Sequence, residues 1–431
     1  MPTKLDMKRG TSLRRGGALI LAGVLLSAGV FGGAWALTPD RNSPAPDDAV
    51  DESDTSVLVG VQGPGPRGNV TELHANGTVA WTYDGGTGGT AISYQNVQML
   101  EDGTVLTTFA DDGYEQCGEY ESPCKHTGVR IIDPDPEPRV VSEWSYPVRT
   151  RKDSEVHDAE RLPSGDVLVA DMEYESIFVY NHSTGERIWT WNASEHYEAP
   201  SDPTTEDWLH INDVDRIGEG RYLVSVRNAN QLLIVERTDD GGGEVVEVIN
   251  ADQDPDVLNR QHNPQWIGPG RVLVADSENH RVVELRRSGT SDEWEVAWAL
   301  YGTGAMTFDW PRDADRLPSG NTVITDTRND RVVVVDGNGS LVRSYATEAL
   351  PYEADVLPHG EQPGLERDVD GSTVGDGSVG GASHDVPVLS ALLAALHHVV
   401  PVPFWLSELH LFALAVSVAL WGSGAWLVVR G

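Results

Sequence analysis

Three histidines and one arginine are the side chains in this chain best suited to chemistry. His157, His210 and His262 recur at nearly even intervals, and Arg227 follows the second of them. A neutral imidazole is a competent nucleophile and proton carrier, because its unperturbed pKa is about 6.5. The planar fork of an arginine suits an oxyanion. Brought together, these groups could hold a tetrahedral oxyanion and carry protons to and from it. Three histidines with an open fourth position could instead hold a zinc for a lyase or hydrolase. Arg227 opposes a cation, so the anion reading leads and the site is expected to hold no metal.

The elements that must position these residues are repeats. The phrase Asp158–Asp171 (DAERLPSGDVLVAD) returns as Asp313–Asp326 (DADRLPSGNTVITD), with weaker copies at Asp213–Val226, Pro264–Asp276 and Val97–Phe109. Their turn glycines are Gly103, Gly165, Gly220, Gly270 and Gly320, the last three spaced by fifty. A truncated first copy is read at Ser56–Val61. Each copy carries an apolar strand, a Gly turn, a second Val/Leu/Ile-rich strand, a third strand and an aromatic fourth such as Arg187–Asn192. Four short antiparallel strands per repeat are the signature of a propeller blade, so the expectation is an all-β, six-bladed β-propeller. Counting eight residues back from each turn glycine reaches Gln95, His157, Asn212, His262 and Arg312. All are polar, and in a propeller this is where the chain enters the strand lining the central channel. Strand alternation would put His210 on the same face as Asn212. Arg227 falls on a turn that folds back over the funnel. Gln95, Asn212 and Arg312 are expected to line the substrate cavity. His182, His196, His280 and His359 are expected to be solvated, and Trp189 and Trp191 to pack between blades.

The runs Val156–Gly165, Trp208–Ile217, Ser225–Val235 and Gln261–Trp266 resemble the motif blocks of the arylsulfate sulfotransferase family, over roughly residues 57–347. That resemblance implies an extracytoplasmic six-bladed propeller that passes a sulfuryl group between phenols without a nucleotide cofactor. It implies His262 as the nucleophile that becomes sulfated, His157 as a holder of the sulfuryl oxygens, His210 beside Asn212 as the handler of the phenolic proton, and Arg227 as the clamp on sulfate. The implied partners are an aryl sulfate donor and a phenolic acceptor. The additional N-terminal domain of some members is absent, and the C-terminal membrane segment lies outside the family pattern. A non-catalytic propeller that binds a surface partner is the remaining alternative.

Composition sets the surroundings. The net charge of −36 comes from 67 acidic residues against 31 basic ones, nearly all arginine. Acidic side chains scatter through the turns, which reads as a carboxylate-hydrated surface adapted to high salt. Nucleic acid is not an expected partner, for want of a basic face. Residues 1–15 are basic, and 16–37 form an apolar anchor or signal of about one bilayer span. A linker at 38–55, the propeller at 56–347, a Gly/Asp-rich linker at 348–385 and a membrane region at 386–431 complete the expected order. The spanning helix is expected at 409–429, and the apolar stretch 388–405 is expected to lie at the interface. By the positive-inside tendency the propeller should sit outside the cytoplasm, with the bilayer as a partner. Cys117 and Cys124, the only cysteines, then read as one disulfide. Sequons begin at Asn69, Asn76, Asn181, Asn192 and Asn338.

Overall fold

The computed structural model describes residues 4–37, 55–63, 68–85, 92–150, 154–289, 293–303, 306–348, 350–358, 360, 377–379, 389, 392 and 408–430. The chain forms two compact units, one of residues 1–40 with 383–431 and one of residues 41–382.

The smaller unit is built on two helices, Lys4–Leu37 and Glu408–Arg430. Their apolar spans, Leu13–Gly33 and Leu409–Arg430, are each long enough to cross a membrane. The helices pack antiparallel. A Cβ placed on Gly16 would stand 2.6 Å from the carbonyl oxygen of Gly424, and one on Gly424 would stand 2.7 Å from that of Gly16. Phe31 meets His410 edge-on at the opposite end of the pair. Small residues permit this close backbone approach, the usual way helices associate where lipid removes the hydrophobic drive. Leu21, Leu25, Phe412 and Trp426 are exposed. Stretch 388–405 lies, apart from residues 389 and 392, outside the described residues.

The larger unit is a six-bladed β-propeller. Inner strands Ile92–Met99, Val156–Arg161, Ile211–Gly218, His262–Gly268 and Asp313–Arg316 each begin a four-stranded antiparallel blade. The sixth blade corrects the sequence reading. Its inner strand is Pro351–Leu357, which pairs with Ser56–Val61, so the first three strands of the chain are completed by one that follows the other five blades in sequence. The propeller therefore runs through residue 357 and does not end at 347, and residues 351–357 are strand where a linker was expected. The phrase Tyr352–Gly360 (YEADVLPHG) is the sixth copy of the repeat, with Gly360 at the turn position and at positive φ. Further along, Gly377–Val379 lies parallel to Trp298–Leu300 on the outer edge of one blade.

Period-two alternation explains why the blades stack. The second and third strands of the blades are largely buried on both faces, and alternate residues enter different wedges, while outermost strands such as Val79–Tyr83 and Arg139–Val148 are partly exposed. Val57, Val59 and Val61 pack with Val323, Val332 and Val334 of the preceding blade. Leu58, between them, joins Tyr94, Val105 and Phe109 of the next. Six such apolar clusters fill the six wedges. Trp189 and Trp191 lie in one of them, as the sequence predicts. Cys117 and Cys124 are disulfide-bonded, with Cα atoms 5.6 Å apart.

Candidate functional site in the propeller funnel

The funnel is built from two rows of side chains, the first supplied once by each blade and the second by four of the blades. The first row sits where the inner strand begins. The five positions expected from the repeats, Gln95, His157, Asn212, His262 and Arg312, are all buried there. Tyr352, on the closing strand, completes the ring. Ladder pairing is interrupted beside several of them (between Tyr94 and Val97, Val156 and Ala159, Ile211 and Asp213), and the extra residue turns its side chain into the channel.

The second row follows the second strand of the blade. In three blades this strand ends in a short 3-10 turn: Arg227–Ala229, Ser277–Asn279 and Thr327–Asn329. Each turn is closed by a left-handed residue, Asn230, His280 or Asp330. Arg227, Ser277 and Thr327 thus occupy one repeat position, and Gln62 follows the corresponding strand in the first blade. This row explains how Arg227 reaches the funnel from a different strand end than the histidines.

His210 is in the cavity for another reason than strand alternation. It precedes its strand in a left-handed conformation, φ 56°. Such a backbone is uncommon for a residue with a side chain and needs outside support. Glu175 supplies it: its carboxylate accepts from the backbone N–H groups of Leu209 (3.0 Å), His210 (2.7 Å) and Ile211 (2.9 Å). The imidazole so placed stacks on His157, ring centroids 5.2 Å apart, and His157 stacks in turn on Tyr352 at 5.2 Å. His262 stands edge-on to Tyr352 at 6.0 Å and to Trp310 at 6.1 Å.

Hydrogen bonds orient the rings of His262 and His210. His262 Nδ1 is 2.8 Å from Ser277 Oγ, and that hydroxyl donates to the carbonyl of Pro311 at 2.7 Å. The serine proton is committed, so Nδ1 carries the ring proton and donates, which leaves the Nε2 lone pair free. His210 Nδ1 lies 2.8 Å from Asp207 Oδ1, again leaving Nε2. His157 Nε2 is 3.7 Å from Glu155, a carboxylate that also accepts from Ser93 and Gln62. Arg312 donates to Gln62 Oε1 at 2.6 Å and lies over Trp310 and Tyr352, at 4.0 and 4.7 Å from the ring centroids. Arg227 donates to Asn228 Oδ1 at 2.9 Å. Among the described residues the Arg227 guanidinium makes no ion pair.

The electrostatics report a shared, cation-rich pocket. Burial, then the charges of Arg312, Arg227, His210 and His157, hold His262 well below the usual imidazole pKa. Burial, His210 and the same two arginines do so for His157. His210 is brought down to about 4, mainly by burial and against the opposing pull of Asp207. Arg312 falls to about 10 through burial, with Arg227 adding to it. The histidines are therefore neutral at pH 7. Among the described residues, the buried atoms His157 Nδ1, Arg227 Nε, Arg312 Nε, Asn212 Oδ1 and Tyr352 OH have no hydrogen-bond partner. Burying such atoms unpaired costs about 1–3 kcal/mol each, so the arrangement suits a polar guest.

Below the funnel the channel turns acidic. The next residue of each inner strand is Asn96, Asp158, Asp213, Asn263, Asp313 or Glu353, all buried. Several act as struts between blades: Asp158 accepts from the Val214 N–H at 3.0 Å, Glu353 from Val97 at 3.1 Å and Asp313 from Ala354 at 2.9 Å. Among the described residues no group of three His, Cys, Asp or Glu side chains is arranged to hold a metal ion. The three histidines accordingly provide no zinc donor set.

Repeat counting missed Tyr352, Ser277, Gln62 and Asp207. The first had a usable signal, the eight-residue offset from Gly360, and Ser277 and Gln62 share the repeat position of Arg227.

No family model matches the chain, and no curated protein matches it. Solved structures similar to it include a Bacteroides caccae protein of unknown function (16% identity, 70% of this chain and 99% of that one, TM-score 0.49). A putative 6-phosphogluconolactonase from Bacteroides fragilis is 11% identical over 72% of this chain and 100% of that one, TM-score 0.44. The periplasmic gluconolactonase of Pseudomonas aeruginosa is 12% identical over 70% and 98%, TM-score 0.41. At these levels of similarity none of the three bears on what the funnel does.

Proposed function

We propose that this protein is an aryl sulfotransferase-like enzyme that moves a sulfuryl group from a phenolic sulfate ester to a phenolic acceptor through a sulfated His262. The observation that carries the reading is the bond from His262 Nδ1 to Ser277, which leaves Nε2 as a neutral nucleophile among two arginines and two further histidines. Two supporting features are its resemblance to the arylsulfate sulfotransferase motif blocks and the absence of an ion pair to Arg227 among the described residues.

In the first half-reaction His262 Nε2 attacks sulfur, the S–O bond to the donor breaks, and its electron pair leaves on the phenolic oxygen. Arg227, Arg312 and His157 face the sulfuryl oxygens, where fixed donors stabilise the spread charge of the transition state. The phenolate leaves as the anion and takes its proton from solvent, since His210 rests neutral with Nε2 unprotonated. In the second half-reaction His210 takes the proton of the acceptor, whose oxygen attacks sulfur as the S–N bond breaks and the pair returns to His262. Binding a sulfate ester also offsets the mutual repulsion of Arg227 and Arg312. The propeller works on the extracytoplasmic face: the basic start of the chain and Arg430 favour cytoplasmic ends, and the disulfide suits an oxidising compartment.

The test uses the full chain in detergent at high salt, with a chromogenic aryl sulfate and a phenol acceptor. Acceptor-stimulated phenol release, ping-pong kinetics and a peptide sulfated at His262 are the expected results, all lost in His262→Ala. Release that survives this change removes His262 as nucleophile, and no release with any phenol removes the reaction.

A further inference from the structure

We infer that Asp207 is a positioning residue that fixes the tautomer and raises the basicity of His210, making the Asp207–His210 pair the general base for the phenolic acceptor. The inference rests on the sulfuryl-transfer reading above and adds a residue and a division of labour to it.

The geometry is that of an imidazole with both ends assigned. Asp207 Oδ1 lies 2.8 Å from His210 Nδ1, so the ring proton is held there and Nε2 is the atom left to take a proton. The pair is only three residues apart in sequence, but it is not a local accident. The backbone carbonyl of Asp207 accepts from Asn228 Nδ2 at 2.9 Å, and Asn228 Oδ1 accepts from Arg227 at 2.9 Å. The backbone N–H of Asn228 donates to Leu209 O at 2.9 Å. A closed chain of bonds thus joins the sulfate clamp to the proton carrier, with Glu175 fixing the left-handed backbone between them.

The groups facing His210 make the need for a carboxylate plain. Burial and the charges of Arg227 and Arg312 all oppose its protonation, and Asp207 is the group that favours it. The Asp207 carboxylate itself, pushed up by burial, is brought below its ordinary range by the bond to His210 and by the charges of His210 and Arg227. Asp207 is therefore ionised at neutral pH. His262 has a neutral serine on Nδ1 where His210 has this anion. The two imidazoles are tuned apart: one stays a nucleophile with little affinity for a proton, and the other is made a better base. Proton balance closes through solvent, because His210 rests neutral, takes the acceptor's proton in the second half-reaction and releases it to water before the next donor binds.

The substitution to make is Asp207→Asn, in the full chain. The side chain keeps its shape and can still accept from Nδ1, but the charge is gone. Acceptors of high pKa, such as alkylphenols, should react about 10–100-fold more slowly, a share of the effect of a whole positioned acid–base. Nitrophenol acceptors, already ionised, should lose less than about 3-fold. The phenol burst from a nitrophenyl sulfate donor, which needs no proton on leaving, should keep its amplitude and rate. The acid limb of kcat/KM for the acceptor should move to lower pH, because removing Asp207 makes His210 a weaker base. Equal losses for all acceptors with an unmoved acid limb would reduce Asp207 to a structural residue and overturn the inference. A wild-type protein with no burst would instead refute the transfer reaction. Nitrogen NMR of His210 then still decides the pairing itself: the Nδ1–H tautomer must be present in the wild type, and the imidazole pKa must fall in Asp207→Asn.

Discussion

Replacing Asp213 with asparagine should stabilise this protein at neutral and alkaline pH and leave it nearly unchanged in acid. Asp213 is 5% exposed, and its Oδ1 has no hydrogen-bond partner. Burial, followed by the charges of Asp158, Glu160, Asp313 and Asp315, holds its carboxyl well above the ordinary range. Its neighbour Asp158 is raised from 3.8 to about 7, mainly by burial. A group with a raised folded pKa binds its proton more tightly in the native chain than in the unfolded one. Folding stability is then greatest below the unfolded value and falls as pH rises through the interval between the two. For Asp158 alone that interval spans about three units, an upper limit of about 4 kcal/mol at 1.36 kcal/mol per unit. The wild type should therefore lose stability from about pH 4 upward, over about three units for Asp158 and further where Asp213, Glu160 and Asp313 titrate. Asp213→Asn removes one carboxylate from the ring without changing its shape. The expected gain at pH 8 is about 1–3 kcal/mol, in the range seen when a poorly compensated buried charge is replaced by a neutral group. The assay is denaturant unfolding across pH in about 2 M salt, where the Debye length is shorter than about 3 Å and the −36 surface charge is screened while the buried ring is not. A variant whose pH slope matches that of the wild type would show that Asp213 is ionised without cost, and the account of the ring would fail.

Two further expectations follow from single contacts. Removing the disulfide by Cys117→Ser with Cys124→Ser opens a loop of sequence separation 7 and should cost about 2 kcal/mol of unfolding free energy by loop-closure entropy, measured with and without reductant. Ser277→Ala frees His262 Nδ1 and should slow donor cleavage about 10-fold while lowering stability by only about 1 kcal/mol, the net worth of a buried hydrogen bond; an unchanged burst rate would show that the serine does not orient the nucleophile.

The fold was legible because a blade is a local object: strand, Gly turn, strand, polar turn, all within one period. Five first-row positions followed from counting back from turn glycines. Tyr352 did not, since its blade is closed by pairing Pro351–Leu357 with Ser56–Val61 from the other end of the chain, a contact with no local signature. The copy in Tyr352–Gly360 keeps the Ala-Asp, Leu-Pro and final Gly of Asp313–Gly320, but its second strand does not follow it in sequence, since that strand is Ser56–Val61. Asp207 was illegible for a related reason. It lies in the irregular segment before Ile211, outside any repeat, and its partner His210 owes its orientation to Glu175 from the preceding blade. Strand periodicity suggested that His210 faces the funnel, but the cause is a left-handed backbone held by three bonds to one carboxylate.

A repeat protein carries its own internal control. Where the blades share one mechanical role, the same position should hold the same kind of residue six times. The row below the funnel does so, with Asn96, Asp158, Asp213, Asn263, Asp313 and Glu353. The bonds to Val214, Val97 and Ala354 show what that role is, since each gives an acceptor to the backbone of another blade. The row above it does not. Gln95, His157, Asn212, His262, Arg312 and Tyr352 share a backbone position and burial but no common structural bond, and the row mixes five residue types with four kinds of functional group. Packing cannot explain that variety, since one packing problem posed six times has no reason to give five residue types. A single asymmetric guest can, because it presents a different face to each blade. The acidic floor adds direction: an anion held by Arg227 and Arg312 finds only carboxylates and amides beneath it. In the proposed reaction, a sulfuryl group carried on His262 between the two half-reactions lets donor and acceptor use one site in turn.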